Sequence, residues 1–523
     1  MTEHYILAID LGTSGPKVAL FTTQCETLGY EFEPTPYYLL PNGGAEQKPE
    51  EWWSAICTAT RRLLDRELVP REQVVALCCT SQWSGTVALD RDGQPLMNAI
   101  IWMDARGAPY VQRVNSGPLS VQGYALDKLY TWVRLSGGIA ANFGKDSLAH
   151  ILFIKHELPE IYHTTYKFLE PKDYLNLRLT GVWATSADTI TLHWVTDNRD
   201  LSQVKYSPTL LRMATLDREK LPDILPPLSV LGKLTLRAAQ DLGLSPDVQV
   251  VIGTPDIPSA ALGSGAVRDY EAHLYIGTSS WLGCHVPNKK VDVFHNIGAL
   301  PSAIPGKYLI TNEQQTSGAS LTFLRDNILY HKDELLTQEG TPDVYKIFDR
   351  IAARAPAGSG GLIFTPWLYG ERTPVDDRTV RGGLFNLSLG STREHIIRAV
   401  FEGVAYNTRW LLSYVEKLAK RRMDPINAVG GGANSAIWCQ ILADVLGRNI
   451  RQTKDPILAN ARGAAYLAAA ALGLMTFDEI SERAYIQQSY TPNPENQKIY
   501  NRLFNEFMQI YQRNKPIYAR LNQ

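Results

Sequence analysis

Asp10 ends the apolar run Tyr5–Ile9 and is followed by Gly12, Thr13, Ser14 and Lys17. One carboxylate, two hydroxyls, a row of backbone N–H groups and a cation are the donor set that phosphate and a phosphate-bound metal require. A hairpin turn with a solvated Asp at its mouth fits the same residues, so this stretch alone leaves both readings open. Half a chain later a second apolar run, His273–Ile276, enters Gly277, Thr278 and Ser279. Two such turns, each closing a strand and each opening half of the chain, point to a duplicated domain and a cleft that grips phosphates from both sides. A third run, Val248–Ile252, leads through Gly253-Thr254-Pro255 to Asp256. Phosphoryl transfer from ATP to an alcohol needs a base near the attacking hydroxyl and donors around the phosphates. Asp256 is the candidate base, although the same "DIPS" segment also suits a helix N-cap.

Other segments supply context. Gly430–Gly432 follow a short strand and would let a flat ring approach the backbone; a helix pattern then runs from about Asn434 or Ser435 to Gly447, with Ile437, Ile441, Leu442, Val445 and Leu446 on its core face. Trp83, between the polar Gln82 and Ser84, fits either core packing or stacking on a ligand. His150 lies among Leu148, Ile151 and Leu152, the setting of a core histidine, with contact to substrate left open. No GxxxxGK[ST] occurs, no GxGxxG follows a strand and no HRD/DFG pair is present, which excludes P-loop, dinucleotide-binding and protein-kinase chemistry.

The elements that must position these residues alternate between strand-like and helix-like runs, the pattern of an α/β architecture. "YILAIDL" and "VALFTT" precede the amphipathic "PEEWWSAICTATRRLLDREL", where Pro49 suits a helix start. A chain of 523 residues exceeds one core. Residues 1–262 and 263–523 are the expected domains, joined near Gly263–Tyr270. The net charge of −1 offers nothing for nucleic acid or an anionic membrane. The longest apolar stretch, Gly463–Met475, is too short to cross a bilayer and reads as a buried helix. No secretory signal is visible, and six scattered cysteines without a zinc pattern suit a reduced cytoplasm.

In order along the chain, Asp10–Ser14, "AEQKPEEWW", "IWMDAR", "EPKDYLNLRLTG", "GTPD", "IGTSSWL", "GERTP", "GGLFNLSLGSTREHIIRAVFEGVAYN" and "GGGANSAIWCQILADVLG" resemble the FGGY family of carbohydrate kinases, with the xylulokinase-like pentulose kinases nearest in pattern. The resemblance implies two duplicated actin/hexokinase/Hsp70-like (ribonuclease H-like) α/β domains with a cleft between them, and ATP-dependent phosphorylation of a ketopentose or related sugar or polyol. ATP and Mg²⁺ would be required, Asp10 acting on the metal through a bound water. Gly12, Thr13, Ser14 and Lys17 would serve the phosphates with Gly277, Thr278 and Ser279. Gly318, Gly431, Gly432, Ala433 and Asn434 would line the adenosine site, and Asp256 would be the base. Substrate contacts are expected from Gln82, Trp83, Ser84, Asp104, Asp256 and Ile257. A homodimer is compatible with this pattern.

Departures concentrate in the sugar site. Trp83-Ser84 replaces Met-His, Ile257 replaces an Asn or Gln, His150 replaces a Lys, and Asn386 replaces a Gly in "GGLFNL". The phosphate machinery is intact while the sugar pocket is rebuilt. The competing reading is a catalytically weak actin-like sugar sensor or scaffold, against which the retained Asp256 argues.

Overall fold

The computed structural model describes residues 3–329 and 344–522. Its frame is a pair of sheets with one topology. The first contains β1 (Tyr5–Gly12), β2 (Gly15–Thr22), β3 (Thr27–Phe32), β4 (Val74–Ser81), β5 (Val230–Lys233) and β6 (Gln249–Pro255), in the order β5-β6-β4-β1-β2-β3. The second contains β7 (Ala272–Ile276), β8 (Ser280–Val286), β9 (Tyr308–Thr311), β10 (Ile426–Val429), β11 (Ile450–Thr453) and β12 (Ile486–Tyr490), in the order β12-β11-β10-β7-β8-β9. Two short strands, Val291–Asp292 and Ile297–Pro301, extend it beyond β9.

Strand directions match one for one. β1 is antiparallel to β2 and parallel to β4, which is parallel to β6. β7 is antiparallel to β8 and parallel to β10, which is parallel to β11. The outer pairs β2–β3, β5–β6, β8–β9 and β11–β12 are all antiparallel. The duplication suggested by the two Gly-Thr-Ser turns is therefore a duplication of the sheet. β1 and β7 are central and covered on both faces, which is why they read as continuous apolar runs without alternation.

The helices that position the site are α1 (Pro49–Leu64), α2 (Ser147–Glu157), α3 (Pro171–Thr180), α4 (Asp256–Gly263), α5 (Gly318–Leu324), α6 (Arg393–Ala419), α7 (Ala436–Leu446) and α8 (Ala459–Ala471). α1 opens on Pro49, carries Glu50 and Glu51 in its first turn and Arg61 and Arg62 in its last, and buries Trp52, Ile56 and Leu63. That charge order complements the helix dipole. α7 is capped by the Ser435 hydroxyl, which accepts from the Trp438 N–H at 3.1 Å, and stops at Gly447 with φ +63°.

α8 crosses between the halves. Its Ala461, Ala464, Ala465 and Ala468 pack on Ile6, Ala8, Phe21 and Val251 of the first sheet, although the helix is encoded late in the second half. It meets α4 backbone to backbone: a Cβ on Gly263 would run into the Ala459 carbonyl, and one on Gly463 into the Ser259 carbonyl. The Ser259 hydroxyl donates to the Asn460 carbonyl at 2.7 Å across this crossing.

Candidate active site

Between the sheets lies a cleft of about 1490 Å³. The β1–β2 hairpin forms one lip. Its register sets Asp10 directly opposite Lys17, and the ammonium lies 3.2 Å from Oδ2. Asp10 is 1% exposed, and its Oδ1 has no hydrogen-bond partner among the described residues. Thr13, in the two-residue turn, is held on three sides. Its hydroxyl donates to Gln82 Oε1 at 3.2 Å and accepts from Trp102 Nε1 at 2.9 Å, while its carbonyl accepts from Gln47 Nε2 at 2.9 Å. Gln82 Nε2 in turn donates to Gln47 Oε1 at 2.7 Å. Gln47 and Trp102 sit inside "AEQKPEEWW" and "IWMDAR", and their buttressing of the turn was missed by the sequence reading, because nothing local links them to Thr13.

The β7–β8 hairpin forms the facing lip. Gly277 N–H donates to the Ser279 carbonyl at 2.9 Å. The start of α5 clamps the turn from behind: the N–H groups of Ser317 and Gly318 donate to the carbonyls of Thr278 and Gly277, each at 2.8 Å. Gly318 permits this approach, since a Cβ there would stand 2.6 Å from the Gly277 oxygen. Beneath the turn, Tyr275 and Trp281 stack at 3.9 Å with parallel rings. Farther along the same wall, Gly430 (φ +88°) turns β10 into Gly431, whose Cα faces open space with no atom within 4 Å of a built Cβ. This is the bare backbone a flat ring needs.

Asp256 stands at the end of β6 as the first residue of α4. The cap position belongs to Pro255 and no side chain caps the helix. Instead Asp256 Oδ1 accepts from the N–H of the next residue, Ile257, at 2.9 Å, and the carboxyl also meets the Trp83 N–H. The group is half-buried in the cleft wall, and burial followed by the charge of Asp10 pushes its pKa up to about 8. A carboxyl raised by burial and by a second carboxylate marks a candidate functional group, a stronger proton acceptor once ionised than an ordinary carboxylate.

Around the mouth nearest Asp256, Trp83 is 6% exposed and its Nε1 donates to the Thr189 carbonyl at 2.9 Å. The Ser84 hydroxyl donates to the Lys145 carbonyl at 2.8 Å. Asp146 accepts from Trp194 Nε1 at 2.8 Å and lies 3.5 Å from the Arg372 guanidinium, which also meets Glu313 at 3.0 Å. Lys145 has no carboxylate in ion-pair contact among the described residues; its ammonium lies 4.8 Å from the Tyr369 ring centroid, and burial pushes its pKa down to about 8. Arg372 belongs to "GERTP", a motif of the resemblance that carried no role for the arginine, and Lys145 carried no signal at all.

Most of the expected site residues meet in this cleft: Asp10, Gly12, Thr13, Ser14, Lys17, Gln82, Trp83, Ser84, Asp256, Ile257, Gly277, Thr278, Ser279, Gly318, Gly431, Gly432 and Asn434 all line it. Asp104 and Ala433 do not. Asp104 is 1% exposed, and its carboxylate is taken by the N–H groups of Ala45 and Arg106 and by the Arg106 side chain, each at 2.9 Å. Ala433 is fully buried, and its carbonyl accepts from Gln452 at 2.7 Å. His150 is likewise fully buried in α2, 3.3 Å from the Thr86 hydroxyl.

The sequence matches the model of the FGGY carbohydrate kinase N-terminal domain over residues 5–263 and that of the C-terminal domain over residues 272–472. It is 29% identical to a xylulose kinase of Staphylococcus epidermidis, over 100% of this chain and 99% of that one. It is 27% identical to a gluconokinase of Bacillus subtilis, over 97% of this chain and 95% of that one. Among solved structures, a gluconate kinase from Lactobacillus acidophilus superimposes with a TM-score of 0.85 at 25% identity, covering 100% of both chains. A ligand-bound xylulose kinase from the same organism gives 0.85 at 24% identity, covering 99% of this chain and 100% of that one.

Proposed function

The chain belongs to the FGGY family of carbohydrate kinases, whose activity is phosphorylation of sugars at the expense of ATP, and from that premise we propose a ketopentose such as D-xylulose as the acceptor and Asp256 as the base. The observation that carries the assignment of the base is the place of Asp256: it lines the cleft between the two hairpin turns, at the first helical position rather than at the cap.

In this mechanism the acceptor O–H gives its proton to Asp256 as its oxygen bonds to the γ-phosphorus, and the bond from that phosphorus to the β,γ-bridging oxygen breaks, releasing ADP. The turns Gly12–Ser14 and Gly277–Ser279 surround the phosphates with N–H groups and hydroxyls. These are fixed beforehand by Gln82, Trp102 and α5, so they need not reorganise as charge moves. Gly431, Gly432 and Asn434 lie where the adenosine rests against bare backbone.

The residues present also fit Mg²⁺. Among the described residues no cluster of three or more His, Cys, Asp or Glu could hold a metal unaided. Asp10 nevertheless offers a buried oxygen with no partner, suited to a cation that keeps most of its waters and arrives with phosphate. Asp10 would hold it through water, and the bound cation offsets charge on the phosphate oxygens.

A second acceptor class, a sugar acid such as D-gluconate, is favoured by Lys145, whose ammonium is in ion-pair contact with no carboxylate among the described residues. An ADP-release assay against D-xylulose, D-ribulose, D-gluconate and glycerol decides between them. Turnover confined to the ketoses supports the first reading, turnover confined to gluconate the second, and turnover confined to glycerol, or with none of the four, would overturn both.

A further inference from the structure

Asp256 is delivered to the cleft by a break in its own strand. β6 pairs with β4 in register from Gln249↔Ala76 to Val251↔Cys78, and resumes at Thr254↔Thr80. Ile252 and Gly253 together therefore oppose the single residue Cys79, which is a β-bulge, the device that re-aims the side chains beyond it. Gly253 has φ +69°, and a Cβ there would collide with the Cys79 carbonyl.

A bulge turns one carbonyl out of the ladder, and that carbonyl needs a partner. Here the Ile252 oxygen accepts from Lys172 Nζ and from Asn176 Nδ2, each at 2.8 Å. Lys172 and Asn176 are four residues apart on one face of α3, and both are fully buried. Burying an ammonium is costly unless it is paired and hydrogen-bonded; Asp173 supplies the charge, 2.5 Å away. On the other side of the bulge, the Thr254 hydroxyl donates to Asp188, another fully buried carboxylate. The next residue but one is Asp256. Two buried polar anchors thus grip the strand within four residues of that carboxyl, and none of Lys172, Asn176, Asp188 or Thr254 lines the cleft.

We propose that Lys172, Asn176, Asp188 and Thr254 are positioning residues that fix the direction of the Asp256 carboxylate, a role that rests on the assignment of Asp256 as base. A hydrophobic strand end would hold β6 in the sheet equally well; what the anchors add is a set angle at its tip. Misplacement of a reacting group by about 1 Å can cost on the order of 10²-fold in rate.

The test is a double-mutant cycle on the full chain, using the best sugar from the acceptor panel. Thr254→Val is expected to lower kcat by roughly 10- to 100-fold, with KM for sugar and for ATP within about threefold of the parent. Thr254→Ser, which keeps the hydroxyl, should restore kcat to within about threefold. In the Asp256→Asn background the same Thr254→Val change should have no further effect, because the residue it positions is gone. Asn176→Leu runs the identical cycle from the other anchor if Thr254→Val does not fold. Full additivity of the two losses, or a folded Thr254→Val enzyme with unchanged kcat, would overturn the proposal. An active Asp256→Asn enzyme would instead overturn the base assignment beneath it.

Discussion

Asp256 and Asp10 share one wall of the cleft, yet their surroundings give them different work. Asp10 is paired with Lys17 across the hairpin, whereas Asp256 has no cation partner of that kind among the described residues and is pushed up to about 8. Asp256→Asn is expected to reduce kcat by roughly 10²–10⁴, the span of a positioned base, without loss of fold. Stability provides an independent check on the same residue. An acid raised in the folded state keeps a proton that the unfolded chain releases above pH ~3.9. Its contribution to stability therefore declines from about pH 4 and is wholly unfavourable above about 8. The Asp256→Asn protein should melt close to the parent at pH 4 and above it at pH 8.5; calorimetric scans showing no such divergence would mean the carboxyl is not perturbed. Asp10→Ala should abolish turnover at millimolar Mg²⁺ while leaving sugar affinity, measured by calorimetry without nucleotide, nearly unchanged. A parallel loss of sugar affinity would place Asp10 in the sugar pocket instead.

At the level of elements, the strands that carry the phosphate turns were legible because buried central strands leave a simple signature, an apolar run that stops abruptly at Gly-Thr-Ser. α1 and α7 were legible from Pro49 and from the Ser435 cap and Gly447 stop. The bulge in β6 was not legible, since Gly253 in "VVIGTPD" looks like an ordinary turn and its anchors lie some 80 positions upstream, on a helix with apolar and polar residues all round. The place of Asp104 outside the cleft lining was illegible for a similar reason: its partner Arg106 is two positions away, but Ala45, whose N–H also binds the carboxylate, is distant in sequence. The α4–α8 crossing gives a sharper expectation. Gly463→Val would force a branched side chain into the Ser259 backbone, where only movement of one helix can relieve it. Overpacking of this kind costs about 1–3 kcal/mol, readable as a lower urea midpoint. An unchanged midpoint would show that the crossing is looser than the structure depicts.

Across the whole molecule, a duplicated domain could be inferred from two tripeptides half a chain apart, but neither the matching strand directions nor the way the halves interlock could. The apolar stretch Gly463–Met475 reads as a buried helix without showing against what; the helix, α8, ends at Ala471, and Leu474 beyond it is exposed. The partner of the helix is the face of the first sheet formed by Ile6, Ala8, Phe21 and Val251, a surface completed more than two hundred residues before α8 is made. That order has a consequence for biosynthesis. While the second half is still on the ribosome, the first sheet waits with one greasy side uncovered, a client for chaperones until the last fifth of the chain emerges. A fragment ending at residue 262 should accordingly bind a hydrophobic dye and precipitate when expressed alone, and should be rescued by co-expressing residues 263–523. A soluble, dye-silent fragment would show that the first half closes its own surface during synthesis and that α8 docks onto it late.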